Sequence, residues 1–262
     1  MLRRVVLGFT ALTIGGALLI GAEIMIALRR EYLPTEPAFK LNDTFGNPKD
    51  EAITLVVMGD STAAGLGADE PVNAYPQVLA RRLASDGYRV DLRVFGVSGA
   101  RVKDVLDDQL PKALEVDPDY VFIGIGANDV THLTSLGELR ADMIEVLMVL
   151  AGRTEAETVV AGAPDMRAPA FYEPLRSLAG WRGRQVAGAI EEVGRAQGAA
   201  VVELAKETGP KFGTDPERFH SDDDFHPSAD GYRLWADAIY PVLKETVRPR
   251  TPNSGANGRK TP

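Results

Sequence analysis

Ile53-Thr54-Leu55-Val56-Val57-Met58-Gly59-Asp60-Ser61-Thr62 is a short apolar, β-branched run that stops at a glycine and then presents an acid and two hydroxyls. A continuous apolar run bounded by turn residues predicts a strand buried on both faces, as in a parallel sheet covered by helices. In such sheets ligands bind at the carboxyl ends of the strands, where loops meet helix N-termini. Ser61 therefore falls at the strand's exit, behind a glycine free to make a tight turn, which is a seat for a nucleophile. Taken alone, Gly59-Asp60-Ser61 says little, because the same residues form turns whose serine caps the following helix.

Outward from this strand, β-rich runs alternate with helical patterns, the mark of βαβ units. The further strands expected are Val90 to Phe95, Tyr120 to Ile125, Thr158 to Ala161 and Ala200 to Glu203. Apolar residues at helical spacing predict helices over Tyr75 to Ser85, Val102 to Leu110, Leu136 to Leu150, Gln185 to Gln197 and Leu234 to Val247. The expectation is one α/β domain over residues 51–247 with a five-stranded parallel sheet and no internal repeat.

Three further segments fall at the same edge of that sheet. Gly96-Val97-Ser98-Gly99-Ala100 follows the second strand, and its Gly99 lets the backbone approach a ligand and present an N–H. Gly124-Ile125-Gly126-Ala127-Asn128-Asp129 closes the third, with a side-chain amide at Asn128 that suits a developing oxyanion. Ser221-Asp222-Asp223-Asp224-Phe225-His226-Pro227-Ser228 places His226 just before a helix, with Asp223 three residues upstream. That spacing lets a carboxylate fold back onto the imidazole, fixing its tautomer and stabilising its protonated form. Each segment has a plainer reading as a turn, a solvated acidic loop or a weak calcium site. Together, four such segments in chain order at one sheet edge outweigh those readings. His132 and His220 stand in no matching motif and are taken as non-catalytic.

The 262 residues, 45% hydrophobic and 25% charged, have an ordinary globular composition. A net charge of -8 without a basic stripe argues against a nucleic-acid partner. With no cysteine, disulfides and thiol nucleophiles are excluded. Residues 5–28 form an apolar run broken only by Glu23, long enough for the roughly 20 residues a bilayer core needs, and are expected as a transmembrane anchor within residues 1–30. A cleaved signal peptide is the alternative. Arg3 and Arg4 before the run and Arg29 and Arg30 after it leave its orientation open. Residues 31–50, with Pro34, Pro37, Gly46 and Pro48, suit a stalk, and residues 248–262 a disordered polar tail.

The four segments resemble the blocks of the SGNH/GDSL hydrolase superfamily, over Ile53 to about Val247. The resemblance implies a flavodoxin-like, three-layer α/β/α fold. It also implies Ser61 as nucleophile, Asp223 and His226 as the other triad members, and an oxyanion hole of Ser61 N–H, Gly99 N–H and the Asn128 amide. Thr62 stands where the GDSL name has leucine, and Asp222 and Asp224 on either side of Asp223 leave the register of the orienting acid open. The implied activity is hydrolysis of carboxylic esters through an acyl-enzyme, with no cofactor and no metal. Acylated envelope glycans or lipids are the expected substrates, from an extracytoplasmic, membrane-anchored position. An acyltransferase with the same triad and a binding module without turnover are the alternatives. Residues 163–181, with Phe171, Tyr172 and Trp181, are expected either to cover the site or to pack in the core. Gly59-Asp60-Ser61 opens no G-x-G-x-x-G, so a dinucleotide site is excluded.

Overall fold

The structure, a computed structural model, describes residues 2–36 and 38–247, with side chains from residue 15 onward. In chain order its elements are α1 Leu2–Arg29, β1 Asp43–Phe45, β2 Glu51–Gly59, α2 Tyr75–Ser85, β3 Tyr88–Val94, α3 Val102–Asp104, α4 Leu110–Glu115, β4 Tyr120–Gly124, α5 Ala127–Thr131, α6 Leu136–Arg153, β5 Glu157–Ala161, α7 Leu175–Ala196, β6 Ala200–Val202, α8 Leu204–Thr214, α9 Pro216–Phe219 and α10 Ala229–Thr246. A π-helical turn, Val105–Gln109, joins α3 to α4.

The sheet order is β1-β3-β2-β4-β5-β6. From β3 to β6 every neighbouring pair is parallel. Those strands are the five expected, in the flavodoxin-like order with its reversal beside β2. The sheet is nevertheless mixed and six-stranded, not wholly parallel. β1 adds antiparallel to β3 with Asp43 opposite Leu92 and Phe45 opposite Val90, and three residues among prolines and asparagines carried no readable period.

Successive residues of β2 alternate between two cores, as a pleated strand must. Leu55 and Val57 face α2 and α10, among Leu79, Leu83, Trp235 and Ile239. Val56 and Met58 face α6 and α7, among Leu139, Met143, Ile190 and Val193. All four β2 side chains are fully buried, each contributing about 1.5–3 kcal/mol relative to exposure. β2 is therefore the most constrained strand, and the turn that leaves it inherits that rigidity.

Residues 5–28 are helical, as expected, within α1. Among the described residues, however, no helix is long and apolar enough to cross a membrane, and residues 1–14 of the expected span lie outside the described side chains. The last turns of α1 pack on the domain. Ile20, Glu23, Ala27 and Arg30 form the covered face, and buried Glu23 accepts from the Leu175 N–H at 2.8 Å. Residues 31–50 do not stand clear as a stalk either. Leu41 is buried, its carbonyl accepts from Gln77 Nε2 at 3.1 Å, and β1 follows directly. The expected tail, 248–262, lies outside the described residues.

Candidate active site

At the end of β2 the chain turns through Gly59 at φ +156°, where a Cβ would meet the Gly124 carbonyl oxygen at 2.3 Å. Only glycine lets β2 and β4 stay paired through this point. Buried Gln109, at the end of the π turn, holds the Gly59 peptide from both sides. Asp60 then folds its Oδ1 back to accept from Thr62 N–H at 2.9 Å and Thr62 Oγ at 2.8 Å. Thr62 thus satisfies a buried carboxylate whose pKa burial raises and these bonds partly restore. The turn closes with Ala64 N–H on the Asp60 carbonyl and Leu66 N–H on that of Ser61.

Ser61 Oγ faces His226 Nε2 at 3.1 Å, across 165 positions of sequence. On its other side the imidazole reaches Asp223 Oδ2 through Nδ1 at 2.6 Å. A carboxylate only accepts, so Nδ1 carries the proton and Nε2 presents its lone pair to the serine hydroxyl. Asp223 Oδ1 accepts the N–H groups of Phe225 and His226, both at 2.9 Å, and the Ser221 hydroxyl at 3.0 Å. Burial alone would raise the Asp223 carboxyl, but the hydrogen bonds from His226 and Phe225 outweigh it and hold the group well below the usual carboxylate range. Among the three neighbouring acids the register is resolved by geometry. Asp222 is exposed, and Asp224 pairs with Arg30. The Ser61, His226 and Asp223 side chains are all buried, so their mutual attraction is little screened.

The loops after β3 and β4 meet each other. Asn128 Nδ2 donates to the Ala100 carbonyl at 2.9 Å, which ties the amide to the residue after Gly99. Gly99 itself has φ +84° with open space where a side chain would stand. Phe171 is buried against Phe225, which in turn packs on His226, whereas Tyr172 and Trp181 are exposed. The segment after β5 therefore flanks the His226 loop and contributes one aromatic to it. His132 and His220 direct Nδ1 at the carbonyls of Asn128 and Pro216.

A cavity of about 680 Å³ opens alongside, with Leu66, Gly67, Ser98 and Ser221 on one wall and Leu33 and Phe39 on another. Gly67 marks how tightly this wall abuts the imidazole. At φ +98°, an added Cβ would meet the Pro227 carbonyl oxygen at 2.4 Å and His226 Cβ at 3.0 Å. Sequence reasoning missed Gln109, Arg30 and Leu33. Gln109 stands four residues after buried Val105, where helical spacing asks for an apolar residue, and that anomaly was the only signal.

Fold and site define an α/β protein with a buried Ser-His-Asp constellation at the switch point of its sheet. The sequence model of the GDSL-like lipase/acylhydrolase family matches residues 57–234. The GDSL-like esterase Rv1075c of Mycobacterium tuberculosis is 35% identical over 200 residues, 74% of this chain and 63% of its own length. The crystal structure of TesA superposes with a TM-score of 0.61 at 22% identity, covering 74% of this chain and 99% of that one. A lipase/acylhydrolase from Enterococcus faecalis does so at 0.59 and 24%, covering 76% and 100%. The chain belongs to the GDSL-like lipase/acylhydrolase family. It spans about 63% of the length of the mycobacterial relative, and the likeness to the two solved structures is one of fold.

Proposed function

We propose that the chain is a serine esterase or acylhydrolase that cleaves carboxylic ester bonds through an acyl-enzyme. The observation that carries this reading is the run of two contacts, 3.1 Å from Ser61 Oγ to His226 Nε2 and 2.6 Å from His226 Nδ1 to Asp223 Oδ2. A serine hydroxyl is a weak nucleophile. As its oxygen bonds to the ester carbon, His226 Nε2 takes the proton, a contribution of roughly 100- to 10,000-fold. Asp223 holds the ring and stabilises the imidazolium without taking the proton itself. The carbonyl electron pair moves onto oxygen, where the N–H groups of Ser61 and Gly99 and the second amide hydrogen of Asn128 receive it. Collapse expels the alcohol with the proton from His226, leaving the acyl group on Ser61. Water then repeats the sequence and releases the acid.

The test is turnover of short-chain p-nitrophenyl esters by the full chain in detergent, with Ser61→Ala beside it. A fluorophosphonate adduct mapped to Ser61 is the orthogonal measurement. Equal turnover by parent and variant excludes Ser61 as nucleophile.

Acylated envelope glycans or lipids remain the proposed substrates, with the domain outside the cytoplasm and residues 5–28 as its lipid anchor. What supports the anchor is the apolar composition of that run and the exposed Leu18, Leu19, Ile24, Met25, Ile26 and Leu28 on α1. Recovery of the chain in the salt-washed supernatant instead of the detergent extract overturns the anchor.

A further inference from the structure

The end of α1 and the residues after it reach the loop that carries Asp223 and His226. Arg30 Nε donates to the Asp223 carbonyl oxygen at 3.2 Å, and its Nη2 pairs with the Asp224 carboxylate. Leu33 N–H donates to Asp223 Oδ2 at 3.3 Å, the oxygen that also receives the His226 ring. Tyr32 stands edge-on to Phe225, with ring centroids 5.5 Å apart. The loop needs such restraint. Asp224 has φ +57°, a left-handed conformation that an L side chain keeps only where its surroundings fix it. The groups that fix it are Arg30 on the side chain, the Ala170 N–H on the carbonyl at 3.0 Å and the Ser221 carbonyl on the N–H at 2.9 Å. Arg30 is itself held, because α1 is clamped one and two turns back by Ala27 and by Glu23 on the Leu175 N–H.

We propose that Arg30 to Leu33 is a positioning element of the active site, which holds the Asp223 loop and thereby aims the His226 ring at Ser61. The N-terminal segment then does more than connect the domain to α1. Ser61, Asp223 and His226 supply the chemistry, and residues 190 positions away supply their alignment. This inference rests on the esterase reading above. It predicts a defect in the rate of the chemical step, not in substrate affinity, because the Arg30 guanidinium contacts the Asp223 carbonyl and the Asp224 carboxylate of the loop that carries the imidazole.

The experiment compares the full chain with Arg30→Ala, Arg30→Lys and Arg29→Ala on p-nitrophenyl acetate, with thermal melting of each. Arg29, the last residue of α1, is exposed, so Arg29→Ala makes the same charge change without the contact. Arg30→Ala is expected to lower kcat roughly 3- to 30-fold with KM within twofold, short of the ~100-fold that a 1 Å misplacement brings. Arg30→Lys restores part of the loss, since an ammonium keeps the charge but not the fork that spans carbonyl and carboxylate. Arg29→Ala matches the parent. An Arg30→Ala enzyme with unchanged kcat, or with a raised KM alone, overturns the proposal. Should Arg30→Ala lose its melting transition, Asp224→Gly takes its place, since glycine adopts the left-handed backbone freely and removes the carboxylate that Arg30 holds, and a parental kcat there overturns the proposal equally. A parent that neither turns over esters nor binds the fluorophosphonate sinks the esterase reading instead, so the two failures are distinct.

Discussion

Gln109 holds the peptide of Gly59 by both ends, accepting from its N–H at 2.9 Å and donating to its carbonyl at 2.8 Å. This places the π turn in service of the serine, since Gly59 is the last residue of β2 and Ser61 follows two positions later. Gln109→Leu leaves a buried amide N–H unpaired, at a cost of about 1–3 kcal/mol. For a domain of this size that corresponds to a fall in Tm of roughly 2–4 °C per kcal/mol, read by calorimetry, with a lower kcat as the turn loosens.

On the proposed mechanism, Ser61→Ala removes the attacking oxygen and nothing that packs. The expected result is loss of ester turnover by several orders of magnitude at unchanged melting temperature, as for other serine enzymes whose nucleophile is deleted. Intact-mass measurement after phosphonate treatment shows no adduct in the variant.

On the proposed mechanism, Asn128→Ala deletes one of the three donors to the developing oxyanion. The expected loss is roughly 100- to 1,000-fold in kcat, about 2.7–4 kcal/mol, with a small change in KM. Steady-state kinetics on one ester resolve the two. A smaller effect would mean that the amide acts chiefly through its bond to the Ala100 carbonyl.

Two buried acids pull the pH dependence of stability in opposite directions. Asp223 is held below its ordinary value by the His226 and Phe225 bonds against the effect of burial. Its stabilisation is complete above the unfolded carboxyl's 3.8 and is lost as pH falls from there toward the folded value. Asp60 is raised by burial, so its contribution is full below 3.8 and is lost as pH rises through its folded value. Denaturant titrations across pH 2–7 should show Asp223→Asn flattening the acid-side loss. Asp60→Asn, which still accepts from Thr62, should gain on the parent as pH rises.

How much of this was legible beforehand depended on whether a feature had a local signature. The five parallel strands and the Ser61, Asp223 and His226 positions were readable, because apolar runs and the serine and histidine segments are local in sequence. β1 was not, because its three residues pair only through β3's edge. α7 begins ten residues before the expected Gln185, since Leu175 to Arg184 holds two glycines and three arginines among ten residues, and its start is fixed instead by Glu23. α8 hid behind Pro210 and two glycines. The contacts of Arg30 and Leu33 with the Asp223 loop were invisible for the same reason. Nothing in a proline-rich stretch says which distant loop it will touch.

The 165 positions between Ser61 and His226 also set when the protein can first act. At about 5–20 residues per second, the ribosome delivers the imidazole roughly 10–30 s after the hydroxyl. A growing chain thus carries an inert serine through most of its synthesis. Esters in the compartment of translation stay safe from it until the loop that carries His226 has emerged.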